Sequence, residues 1–252
     1  MTLSFPGTCF GPVRSAGDRI RPGRYTLHAR FDRSLLLFDA ARHPLFIVTR
    51  AIGPGPLNLV VDRPNHFLPG DSLTVPRGLR APRYNSAIPR ARAGHAAIAT
   101  ALARHLPAAA PPDSLVSLLF PPPRLPARQR HRDDLFRRAF RLIGKNRLAA
   151  GVTLVRGCGE GLTPAGDDFL AGWILACRLR CRYGLAKQIL PHALGGNAVA
   201  NAFLRLAAEG RVHAALRRLL RTPSPSAVRA ACAHGHTSGA DLLAGLLRGL
   251  RA

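Results

Sequence analysis

The strongest constraint on this chain is the stretch Gly157-Cys158-Gly159-Glu160-Gly161-Leu162-Thr163-Pro164-Ala165-Gly166-Asp167-Asp168, which runs directly into the apolar segment Phe169 to Cys177. Thr163-Pro164 reads as a helix start: a hydroxyl at the N-cap, then proline at N1, where a missing N–H costs nothing. Phe169, Leu170, Trp173, Ile174, Cys177 and Leu179 leave the helix little polar face, so it is expected at the centre of a core. The whole chain has 13 acidic residues in 252. A nine-residue window should therefore hold about half of one, yet residues 160–168 hold three. That local reversal of charge calls for a physical cause.

Its background is strongly basic, with 37 Lys and Arg and a formal charge of +24. Only Lys145 and Lys187 are lysine, and the arginines are dispersed from Arg14 to Arg251 with few aromatics between them. Nonspecific attraction to polyanions follows from the charge, but no specific nucleic-acid partner is expected. Apolar residues make up 47% of the chain, enough for a real core. The five cysteines include no close Cys-x-x-Cys pair, against a disulfide framework or zinc ribbon. Cys177 and Cys181, four apart, are read as paired core thiols on one helix face. The segment Met1 to Arg14 lacks a signal-peptide pattern, and no apolar run is long enough to span a bilayer, so the chain is read as cytoplasmic with no membrane partner.

In chain order, Arg24 to His28, Ser34 to Phe38, Leu45 to Thr49 and Leu57 to Val61 read as strands. They are punctuated by Pro22-Gly23, Asp39 to Arg42, Gly53 to Pro56 and Arg63-Pro64. Leu68 to Arg83 continues an irregular or β region. Asn58, at the mouth of the Gly53 to Pro56 turn, is a candidate ligand contact or a structural turn residue. From Pro89 the period becomes helical, through Ala91, His95, Ile98, Leu102 and Leu106, until Pro107 stops the run. Leu115 to Phe120 is a strand or packed connector. Asp133-Asp134 heads a second helix, its acids matching the helix dipole, and Val152 to Val155 reads as a short strand or buried extended segment. Further helices are expected over Asn197 to Ala208, Arg211 to Leu220, and from Pro225 under a Ser224 cap. The expected architecture is α+β: a small antiparallel β domain or partial barrel at 1–85, then a mainly helical domain at 86–252.

The end of the chain echoes its most constrained stretch. Gly166 to Gly172 and Gly239 to Gly245 align without gaps and share five of seven residues, each a Gly-x-Asp leading into an apolar helix. Free amides at a helix start attract anions, and glycines let a phosphate or carboxylate come close. Asp167 and Asp168 oppose a bare anion unless one turns away, binds a Mg²⁺ ion that bridges to phosphate, or orients a substrate amide. The alternative is that the aspartates only stabilise the helix dipole while the glycines permit tight packing. Walker spacing is absent.

Gly157-x-Gly159-x-Gly161-Leu162-Thr163-Pro164-x-Gly166-Asp167-Asp168-Phe169-Leu170-x-Gly172, with the later Gly235-His236-Thr237-Ser238-Gly239-x-Asp241, resembles a bacterial family long catalogued as a domain of unknown function. That family includes the third subunit of the oxamate carbamoyltransferase of allantoin degradation. Gly53 to Val60 carries a weaker likeness to a family turn before a strand. Glu160 stands where proline is common in the family, and Ala165 where a small hydroxyl is frequent, which removes a hydrogen bond worth about 1 kcal/mol. Asn197 and Asn201 stand near a helix start where the family has Thr and Ser.

The resemblance implies a subunit working with partner proteins in a hetero-oligomer, transferring a carbamoyl group from carbamoyl phosphate, a small anionic substrate, to oxamate. On that reading Gly159, Gly161 and Gly166 present backbone to the anion and Thr163 donates from its hydroxyl. Asp168 and Asp241 orient the amide, or Asp167 and Asp168 hold Mg²⁺. Thr237, Ser238 and Gly239 complete the ligand contacts, and His236 transfers a proton or merely caps the preceding helix. A noncatalytic ligand-binding or scaffold subunit and a metal-assisted hydrolase remain the competing readings. If both motifs serve one site, Asp168 and Asp241 face a common cleft.

Overall fold

A computed structural model describes residues 12–62, 70–90 and 92–252, together with the backbone of 4–5 and 8–9. The Arg63-Pro64 turn, Leu68 at the head of the irregular segment, and Ala91 of the first helical stripe lie outside the described residues. The chain divides into two compact units, Met1–Ala87 with Arg211–Ala214, and Ile88–Gly210 with Ala215–Ala252. The class is α+β, a curled seven-stranded sheet followed in sequence by a helical region.

In the first unit β1 (Ser4–Phe5) and β2 (Thr8–Cys9) form a separate antiparallel pair. The sheet proper comprises β3 (Ser15–Gly17), β4 (Gly23–Phe31), β5 (Ser34–Phe38), β6 (Pro44–Thr49), β7 (Asn58–Val61), β8 (Ser72–Val75) and β9 (Arg83–Tyr84). Their order is β8-β4-β5-β6-β7-β3-β9. Alternating residues from five of these strands, Tyr25, Leu35 and Leu37, Leu45 and Ile47, Leu59 and Val61, Leu73 and Val75, build one core, as the two-residue strand period requires. The sheet is mixed: β6 and β7 run parallel with Phe46 paired to Asn58, and β3 runs parallel to β9. Asp18 ties Arg211–Ala214 into this unit, accepting from Ser86 Oγ at 2.6 Å and Arg211 Nη1 at 2.8 Å.

Among the described residues the helical unit and its border carry nine α-helices. They are α1 (His95–Ala109), α2 (Ala127–Gly144), α3 (Leu148–Val155), α4 (Ala165–Leu179), α5 (Tyr183–Ala193), α6 (Ala198–Ala208), α7 (Ala214–Arg221), α8 (Pro225–Cys232) and α9 (Ser238–Arg251). As expected, α4 is central, with thirteen of its fifteen residues buried. Phe169 stacks with Phe136 and Phe140 of α2 at centroid distances of 5.4 and 5.7 Å. No helix among the described residues is long and apolar enough to cross a membrane.

Several local expectations are corrected. Pro107 lies inside α1 rather than ending it, because a proline in the last turn deprives only one carbonyl of its partner. Asp133 and Asp134 sit in the middle of α2, which starts at Ala127 behind Pro126. Leu115–Leu118 is a 3-10 turn, and Val152 to Val155 is the second half of α3. Cys177 is buried in α4, whereas Cys181 lies beyond its end with φ 58° and is exposed, so the two thiols share no helix face. Ser224 caps α8 as expected, accepting from Ala227 N at 3.2 Å.

Candidate functional site

The echo between the two glycine motifs has a spatial counterpart. Asp168 and Asp241 are close enough to interact electrostatically, Gly172 lies against Leu242 and Leu246, and Gly249 lies against Trp173 and Ala176. α4 and α9 therefore run parallel, in the same alignment that matches the two seven-residue segments. A Cβ on Gly172 would sit 1.9 Å from Leu242 O, and one on Gly245 1.9 Å from Phe169 O. Leu242 and Phe169 are themselves counterparts in the alignment, so each helix offers its glycine to the other's carbonyl. Small residues let the two backbones approach this closely.

A parallel pair brings both N-termini, with their positive dipole ends, to one place. Each start is built alike. Gly166 packs on Val155 O at the end of α3, and its N–H donates to Cys158 O at 2.7 Å. Gly239 packs on Ala231 O near the end of α8, and its N–H donates to His234 O at 2.9 Å. The expectation that Gly166 offers its amide to an anion is corrected, since that N–H is already engaged and the residue serves close packing instead.

Thr163 does not cap α4. Pro164 occupies the N-cap, because its fixed φ suits the turn into the helix. The Thr163 hydroxyl reaches across to Ser238 Oγ at 3.3 Å, joining the two motifs. Beneath that contact, Asp168 is 5% exposed and Asp241 is fully buried. One oxygen of each, Oδ2, has no hydrogen-bond partner. Asp241 Oδ1 accepts from the Leu115 N–H at 2.6 Å.

Burial pushes the Asp168 carboxyl well above the ordinary range; the Ser238 and Thr163 hydroxyls act against this, and the charge of Asp241 adds to it. Burial likewise raises Asp241 to about 6, opposed by the Leu115 N–H, the Thr237 hydroxyl and the Arg132 charge. Two buried carboxyls close enough to interact favour a state that retains a proton.

The other candidates divide between scaffold and rim. Asp167 is buried, but its Oδ1 accepts from Gly157 N at 2.7 Å, fastening the glycine loop. Asp167 and Asp168 thus turn to different partners. Among the described residues no group of three or more His, Cys, Asp and Glu is arranged to hold a metal. Gly159 has φ 113° and Gly161 has φ 95°, conformations that favour glycine in the loop. Glu160 is 81% exposed and pairs with Arg128. His236 is 86% exposed, its Nδ1 3.9 Å from Asp113 Oδ2. Burial lowers the neighbouring His234 to about 4. Asn58 belongs to the β unit, where its Nδ2 donates to Gly53 O at 3.0 Å and closes the turn.

Asn197 is a support that the sequence undervalued. Its Oδ1 caps α6 through the Val199 and Ala200 amides, while Nδ2 donates to Leu162 O at 2.9 Å, one residue before Thr163. Asn197→Ala is expected to cost about 1 kcal/mol as a lost cap and to loosen the 157–163 loop. Denaturant unfolding together with protease cutting at the loop checks this; unchanged cutting removes the loop-holding role. Arg132, Asp133 and Ser117 were also missed. Their signal was an acidic pair seven residues after a proline, placing it inside a helix rather than at its head.

A helical unit in which two glycine-led helices run parallel and bury a carboxyl pair at their common N-terminal end defines a candidate polar-ligand site. Residues 155–250, which hold both motifs, match the model of the family described as oxamate carbamoyltransferase subunit AllH. The resemblance borne by the two motifs is thereby shown over that segment. No curated protein and no solved structure matches the chain.

Proposed function

We propose that this chain is a working subunit of a carbamoyltransferase complex that uses carbamoyl phosphate and a small amide acid such as oxamate. The observation that carries this reading is the meeting of the two motifs at Thr163 and Ser238, above two buried carboxyls that each leave an oxygen unpartnered. In the reaction the acceptor amide nitrogen bonds to the carbamoyl carbon, the carbon–oxygen bond to phosphate breaks, and the amide nitrogen loses a proton. Asp241, at about 6, is mostly ionised at pH 7 and accepts that amide proton, while burial favours the protonated form of Asp168. The unpartnered oxygens hold the amide in line. Thr163, Thr237 and Ser238, with the backbone of Gly159 and Gly161, face the phosphate end, and His236 returns the proton to solvent. Protein partners supply the rest of the site.

A noncatalytic ligand-binding subunit is the second reading, favoured by the exposure of His236. The deciding experiment mixes the chain with its partner subunits, carbamoyl phosphate and oxamate, with and without Mg²⁺, and follows oxalurate and phosphate. Asp168→Asn and Asp241→Asn are each expected to lower kcat by about 100-fold, the usual scale for a positioned acid or base. Turnover unchanged by both substitutions sinks the catalytic assignment and leaves the binding role. A Mg²⁺ requirement lost in Asp167→Asn and Asp168→Asn would instead favour the metal reading.

A further inference from the structure

The unit holds a second polar cluster, carried by α2 and the 3-10 turn and lying outside the segment that matches the family. Arg132 is 16% exposed and Asp133 is fully buried beside it. The Arg132 guanidinium donates to the Asp113 carbonyl, to Ser114 O at 3.1 Å and to Ser117 Oγ at 3.2 Å. It also pairs with Asp133 Oδ1 at 3.0 Å. Asp133 Oδ2 in turn accepts from the Ser117 hydroxyl at 2.8 Å. One buried ion pair thus grips the backbone of residues 113–117 from several sides. Such a pair contributes little net stability when its desolvation cost is counted, so its geometric effect is the more informative one.

That effect is local and directional. The gripped Ser114 carbonyl belongs to the same peptide unit as the Leu115 N–H, which donates to Asp241 Oδ1 at 2.6 Å. Anchoring Oδ1 fixes the carboxyl plane and leaves Oδ2 as the oxygen without a partner. We propose that Arg132 is a positioning residue: with Asp133 and Ser117 it clamps the 113–117 turn so that the Leu115 amide aims the free oxygen of Asp241 at the reacting group. This role rests on the carbamoyltransferase reading above. Arg132 makes no contact with substrate in it; beside the charge it exerts on Asp241, which Arg132→Lys retains, it acts through the turn.

Arg132→Lys tests the clamp because lysine keeps the charge but lacks the planar fork that serves several acceptors at once. Ser117→Ala is a milder second variant that removes one strand of the grip and keeps the ion pair. In the full complex, Arg132→Lys is expected to speed hydrogen exchange at the Leu115 amide by about 10-fold and to lower kcat by about 10-fold, with KM for carbamoyl phosphate unchanged. Ser117→Ala should move both readouts in the same direction by less. Unchanged Leu115 exchange in both variants overturns the clamp whatever the assay shows. Faster exchange with kcat unchanged overturns the positioning role and leaves a structural one. A parent complex with no turnover removes the functional reading itself, and with it this role; an active parent with insensitive variants removes this role alone.

Discussion

Replacing Asp241 by asparagine is expected to make the protein more stable at pH 7 while, on the proposed function, it lowers kcat about 100-fold. Burial raises the Asp241 carboxyl to about 6 from 3.8, so between those values the folded chain holds a proton that the unfolded chain has released. Its contribution to stability is complete below about 3.8 and is lost as pH rises through 6, a loss of about 3 kcal/mol. Asp168, raised well above 3.8, acts in the same direction. His234 acts in the opposite one: lowered from 6.5 to about 4 by burial, it adds stability as pH climbs from 4 to 6.5, again by about 3 kcal/mol. In the parent the Asp241 and His234 contributions largely offset across that window. In Asp241→Asn the buried charge is gone, an amide oxygen still accepts from Leu115, and only Asp168 still opposes the His234 gain.

The variant and the parent should therefore be similarly stable near pH 4, with the gap widening to about 3 kcal/mol at pH 7. Denaturant unfolding at pH 4, 5.5 and 7 measures it. A gap that does not change with pH sinks the account. A stabilised yet inactive variant is the pattern of a residue retained for chemistry at the expense of the fold.

Gly245→Ala should have the opposite effect. Its Cβ would fall 1.9 Å from Phe169 O and 2.7 Å from the carbonyl carbon. Backbone cannot swing aside as a flexible side chain can, so α4 and α9 must separate along their shared seam. The expected cost is about 3 kcal/mol or more, a fall in Tm of roughly 10 °C for a protein of this size. Gly184→Ala is the control, because a Cβ there meets nothing within 4 Å. It lies in α5, where alanine should be neutral or stabilising by up to about 1 kcal/mol. Equal thermal stability of the two variants would show that the seam has slack that the distances deny.

Elements whose period and boundaries agree were legible from the sequence. The runs in β4 to β7 alternate or stay apolar between turn residues, and α4 is apolar on nearly every side. Where a local signal had two physical solutions, tertiary context chose. Val152 to Val155 is apolar and β-branched, yet Leu148 to Ala150 begin a helix that Gly151 continues, because the glycine packs against Ala139 O and Ile143 of α2. Asp133 looked like a dipole partner because the ion pair and hydroxyl that bury it lie one residue before and sixteen residues back.

The geometry of the candidate site was legible in part. Gly-x-Asp repeated before two apolar helices singled out Asp168 and Asp241, which the fold buries near one another. That Thr163 would abandon its cap for Ser238, 75 residues away, has no local signature, and neither does the grip of Arg132 on the turn before Leu115.

The glycine-to-carbonyl seam between α4 and α9 also decides how the carboxyl pair responds to crowding of charge. Repelling groups on flexible supports relieve one another by drifting apart. Here the supports touch through backbone atoms and the two aspartates ride on the first turns of helices locked in register. Displacement is closed to them, so relief of the repulsion is expected through proton uptake rather than through movement of the helices.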